Sequence, residues 1–110
     1  MKKYAITAVS LFLATTAVPS QSNAGHKGWY VIMGSFDYQD TDSAERRARQ
    51  VNNNCGLDAR WDDAIYVQGL NPNVVFVYIG PYHEKSRALA IRRVARACVS
   101  DAYVKYGRPD

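Results

Sequence analysis

Four short stretches are rich in β-branched and aromatic residues, 29–34, a brief 57–61, 74–80 and 102–106, and predict strands. Two others keep a helical rhythm. Ala44, Ala48, Val51 and Cys55 recur at spacings of four, three and four, and Ala88, Ile91, Val94, Ala95 and Cys98 form a second apolar stripe. Asp42 as N-cap with Glu45 three residues on makes a capping box for the first helix, and Asn54 with Gly56 ends it. Between Asp62 and Asn73 the chain offers a turn at Asn71-Pro72-Asn73 and a run, Ala64-Ile65-Tyr66-Val67, that suits a further short strand. That segment has no assigned place in the sheet.

The pattern occurs twice. Val31-Ile32-Met33-Gly34-Ser35-Phe36 and Val77-Tyr78-Ile79-Gly80-Pro81-Tyr82 share an apolar run, a glycine, a small turn residue and an aromatic, at an offset of 46. Arg46-Arg47 and Arg92-Arg93 keep that offset, and Cys55-Gly56-Leu57-Asp58-Ala59 matches Cys98-Val99-Ser100-Asp101-Ala102 at 43. Two copies of strand, helix, strand predict an α+β chain of the βαββαβ ferredoxin-like (RNP-like) class, a four-stranded antiparallel sheet with both helices on one face. With each helix following one of two central, mutually parallel strands, both C-termini fall at the same end and bring Cys55 and Cys98 together.

Period-two alternation assigns the two faces of the sheet. Val31, Met33, Val75, Val77, Ile79, Ala102 and Val104 should meet the helices. The opposite parity holds Tyr30, Ile32, Phe76, Tyr78, Tyr103 and Lys105, an aromatic surface where a solvated face normally reads polar. It is either a flat platform for a ligand with ring faces or a surface covered by the 62–73 segment, the C-terminal tail or a second chain.

Composition narrows the class. The chain has 110 residues, 47% of them hydrophobic and 22% charged, as in a single globular domain. Residues 1–24 read as a cleaved secretory signal: Lys2 and Lys3, an apolar run from Tyr4 to Val18, and the small-residue site Ser22-Asn23-Ala24. The run is too short and too rich in threonine for a membrane anchor. Residues 25–110 would remain, with 12 basic against 10 acidic residues and a small positive charge. The expected location is periplasmic or secreted, where Cys55 and Cys98 read first as one disulfide, with two separate buried thiols as the other reading.

These residues also resemble a known family. Trp29-Tyr30-Val31-Ile32-Met33-Gly34-Ser35-Phe36, the capped alanine-rich helix, Val77-Tyr78-Ile79-Gly80-Pro81-Tyr82 and Asp101-Ala102-Tyr103-Val104 are similar to the SPOR (sporulation-related repeat) domain of bacterial envelope proteins, across residues 28–107. The resemblance implies a βαββαβ fold that binds peptidoglycan glycan strands lacking stem peptides along the open sheet face. Carried across, Ile32 and Ser35 on the first strand and Phe76 and Tyr78 on the third would be the binding positions, and Ile32 stands where many members carry glutamine. Tyr30, Tyr103 and Lys105 complete the expected glycan site, since sugars offer C–H faces to rings and hydroxyls to polar groups.

Other chemistries have little to stand on. Asp62-Asp63 reads as a solvated turn, and there is no Gly-x-Ser-x-Gly or His-Glu-x-x-His, so no catalytic residue, metal or cofactor is expected. An RRM-like nucleic-acid platform is disfavoured by export and the small net charge. Seven of the nine arginines lie on the predicted helices, mostly off the apolar stripes, as on a solvated face or one meeting an acidic partner. Together with the lack of catalytic motifs, the resemblance thus implies a non-catalytic envelope module for peptidoglycan glycan, of use in cell division. The alternative is an interaction or regulatory module that uses the same aromatic face for an envelope protein.

Overall fold

The computed structural model describes residues 26–109; the expected signal segment lies outside the described residues. The chain runs β1 (Gly28–Asp37), α1 (Thr41–Cys55), β2 (Arg60–Asp63), a single 3-10 turn (Ala64–Tyr66), β3 (Val67–Gln68), β4 (Val74–Tyr82), α2 (Lys85–Ala95) and β5 (Tyr103–Pro109). The strands form one antiparallel sheet of five in the order β2-β4-β1-β5-β3. The fold is therefore α+β with two helices, as the periodicities require, but with five strands in place of four. The fifth is the two-residue β3, which pairs with the end of β5 through Val67↔Pro109 and Gln68↔Arg108.

The N-cap of helix α1 lies two residues before the predicted one. Asp40 is the N-cap, and its Oδ1 accepts the Ser43 N–H at 3.2 Å. Asp42 instead sits in the first turn. Glu45 does not reach back to the cap; it accepts Trp61 Nε1–H at 2.6 Å and pairs with Arg49 at 3.0 Å, tying the helix to β2. Gly56 ends the helix in the left-handed region at φ 64°, where an L side chain is strained. Asn52 then bonds both backbone groups of Ala59, at 3.0 and 2.6 Å, and fixes the turn into β2.

Hydrogen bonds from the Ser43 hydroxyl and amide hold the Asp40 carboxyl below its ordinary pKa. A lowered folded-state pKa means that its contribution is present at neutral pH and is lost as pH falls through that value. Asp40→Ala should lower the thermal midpoint at pH 7 more than Asp42→Ala, with the gap closing in acid. Equal effects of the two changes at pH 7 would overturn the assignment.

The central strands β1 and β4 run antiparallel, from Trp29↔Tyr82 to Asp37↔Val74, and not parallel as the sequence suggested. The crossover through α1 leaves β1 and β2 parallel, and the 64–73 connection then reverses the chain, so β4 opposes both. The disulfide forms nonetheless. Cys98 lies in the turns after α2, reaches the last residue of α1 and bonds Cys55 with a Cα separation of 6.3 Å.

One core lies between sheet and helices. Val31, Met33, Val75, Val77, Ile79 and Ala102 meet Ala44, Ala48 and Val51 of α1 and Ala88 and Ala95 of α2. Ile91, Cys98 and Val104 are partly buried beside them, whereas Val94, placed in the stripe by spacing, is exposed. Against the other face a second core gathers Tyr30, Ile32, Phe76 and Tyr78 under Ala64 and Val67, with Leu70 and Val74 packed alongside. The sheet is buried on both sides.

Candidate functional site

The predicted parity is correct and the predicted openness is not. Tyr30, Ile32, Phe76 and Tyr78 share a face, yet each is at most 1% exposed. Phe76 and Tyr78 stack with centroids 4.7 Å apart, and Tyr30 meets them edge-on at 5.9 and 5.5 Å. Leaving such rings in water would forfeit roughly 1.5–3 kcal/mol per side chain. The 62–73 segment therefore crosses beneath the sheet from the β2 edge to the β5 edge. Tyr30 donates its hydroxyl to the His26 carbonyl at 2.5 Å, giving its phenol a polar partner.

This roof was readable in principle, because Ala64, Val67 and Leu70 recur every third residue within the unassigned stretch. Nor is Asp62-Asp63 a solvated pair. Asp62 is 3% exposed, and its Oδ1 accepts the Asp63 N–H at 2.8 Å. Asp63 caps the 3-10 turn through Ile65 N–H at 3.3 Å. One oxygen of each carboxylate thus accepts a local backbone N–H.

Where the roof stops, a cleft of about 350 Å³ opens between the Gly69-Leu70-Asn71 turn and the β1–β5 pair. Leu70 and Val74, partly exposed, give it an apolar wall over a floor of the almost fully buried Ile32 and Phe76. Ser35, Tyr103, Lys105 and Asn71 supply polar atoms at its rim. Five of the seven expected site residues thus line this cleft, but only Ser35, Tyr103 and Lys105 present open surface to it; Ile32 and Phe76 are buried core residues, as are Tyr30 and Tyr78, which do not line it. The half-exposed Tyr103 lies across β1 from the core, paired with Ile32 in register.

A second lobe of about 320 Å³ shares Ile32, Ser35 and Tyr103 with the first and adds Phe36, Arg47 and Asp101. Arg47 was not anticipated as a site residue, being one of the arginines read as solvated. Its position offered a clue: three residues after Ala44 and four before Val51, it flanks the buried stripe. Its Nη1 donates to the Met33 carbonyl at 2.7 Å, and its guanidinium carbon stands 5.5 Å from the Phe36 ring centroid.

A third cleft, about 590 Å³, lies elsewhere, beside Gly80-Pro81-Tyr82. It brings together His26 and His83, far apart in sequence, along with Lys27 and Asp58. Burial raises the Tyr82 phenol above its ordinary pKa there, the nearby Arg87 opposing the shift. Among the described residues no group of three histidine, cysteine or acidic side chains is placed to hold a metal, and no helix is long and apolar enough to cross a membrane.

The chain matches no protein-family model, no curated protein and no solved structure.

Proposed function

We propose that this chain is a non-catalytic module of the bacterial cell envelope, periplasmic or secreted, that binds stem-peptide-poor peptidoglycan glycan in the cleft beside Tyr103. The frame is a ferredoxin-like βαββαβ unit of the SPOR type in which the 62–73 segment has added β3 and roofed half of the binding face. The observation that carries this reading is the union of partly exposed apolar side chains, Leu70 and Val74, with a polar rim, Ser35, Tyr103 and Lys105, in one open cleft. A sugar ring needs both. The Cys55–Cys98 bridge agrees with an oxidising compartment, and the lysine-led apolar leader with export. A protein partner on the aromatic face is the weaker reading, because the rings it would use lie under the roof.

Pull-down with purified sacculi tests the proposal. Binding should rise after an amidase removes stem peptides, and Tyr103→Ala should weaken it by about threefold to tenfold, the worth of roughly 0.5–1.5 kcal/mol from one ring contact. Tyr103 is 44% exposed, so its removal should leave the melting temperature nearly unchanged. No retention on either form of sacculus, or full retention by the Tyr103 variant, would overturn the assignment.

A further inference from the structure

The second lobe gives the cleft a direction. A ligand lying along Ser35 and Tyr103 leaves the apolar wall at one end and meets Arg47 at the other. That guanidinium is held before any ligand arrives, by the Met33 carbonyl and the Phe36 ring. Gly34 makes the arrangement possible: a Cβ there would stand 3.0 Å from Arg47 Nη1 and 3.2 Å from the Phe36 ring, and φ at this residue is +154°. The strand glycine leaves room for a cation seated against the backbone. Holding the side chain in advance removes much of the ordering cost that a free arginine meets on binding.

Arginine carries five N–H donors in a planar fork, and the bond to Met33 uses one nitrogen. Among the described residues Arg47 forms no ion pair; those found join Arg49 to Glu45 and Arg60 to Asp58. Such a fork, open on one side, fits a carboxylate through paired charge-assisted hydrogen bonds. Peptidoglycan glycan presents one only in a particular state. While a stem peptide is attached, the lactyl group of each muramic sugar is an amide; once the peptide is gone, it is a free carboxylate.

We propose, resting on the glycan reading above, that Arg47 is a carboxylate subsite that reads the free lactyl group of peptide-free strands. Asp101 lies on the same lobe and is exposed. Its charge opposes the incoming carboxylate through solvent, so it sets the affinity below the maximum that Arg47 would allow.

The test uses the oxidised chain, a tetrasaccharide of alternating N-acetylglucosamine and N-acetylmuramic acid with free lactyl acids, and its methyl ester, titrated calorimetrically at low salt. The acid should bind about tenfold tighter than the ester, and the difference should shrink as salt rises. Arg47→Gln should abolish the preference, Arg47→Lys should keep part of it, and Asp101→Asn should enlarge it. Thermal midpoints check folding, and should Arg47→Gln fail to fold, the lysine variant and the salt dependence decide. Equal binding of acid and ester would overturn the carboxylate subsite and leave the glycan cleft standing. Absence of binding by both would overturn the cleft itself.

Discussion

Tyr78→Ala is expected to destabilise the chain by about 3–5 kcal/mol, as large-to-small changes of buried aromatics do. The ring is fully buried, stacked on Phe76 and met edge-on by Tyr30 beneath Ala64 and Val67, so its removal leaves a cavity between two layers that cannot both collapse into it. Urea denaturation followed by far-ultraviolet dichroism measures the loss directly. Tyr78→Ala and Tyr103→Ala should then separate cleanly, the first affecting folding and the second glycan retention. A Tyr78→Ala protein with an unchanged urea midpoint would show that the 62–73 segment does not cover this face in solution. Ile32→Gln, which would introduce the residue common in SPOR domains, belongs with the structural changes: Ile32 is 1% exposed, and an amide there would be buried beside aromatic rings.

Replacing both Cys55 and Cys98 by serine should cost about 4 kcal/mol, the entropy released to the unfolded chain when a cross-link over a separation of 43 residues is removed. Native strain and residual unfolded structure reduce that figure. Against a total of roughly 5–15 kcal/mol for a domain, the change is large. The same shift should appear in the untouched protein when its urea midpoint is compared with and without reductant. A midpoint insensitive to both treatments would mean that the bridge restrains nothing the rest of the fold does not already hold.

Much of this architecture is legible in the residues because period and parity are local. Val31, Met33, Val75, Val77 and Ile79 had to share a face, and Ala44, Ala48 and Val51 had to share a stripe, whatever the rest of the chain did. What lies against a face is not local. Tyr30, Ile32, Phe76 and Tyr78 spell the same pattern whether a ligand, a partner or the chain itself covers them, and the answer depended on where 62–73 goes. Strand direction was misread for a related reason: the reversal of β4 comes from that same connection. At the head of α1 two acids two positions apart both suit a cap, and only the path of the preceding turn selects Asp40. Arg47 escaped notice because its partners, Met33 and Phe36, belong to another element.

The order of strands also sets a schedule. Strand β1 is near the start of the described chain, yet one of its neighbours is β4 and the other is β5, at the far end, with Gly28 paired to Gly107. During synthesis this largely apolar strand emerges early and waits, one edge of its backbone unpaired until β4 has appeared and the other until β5 has. Pairings of such sequence separation close slowly and leave strand edges open in the interval. The sheet is thus completed around its oldest strand by its newest. Truncation of even the last few residues should strip β3 of its partner as well as shorten β5, loosening the roof from a point remote in sequence.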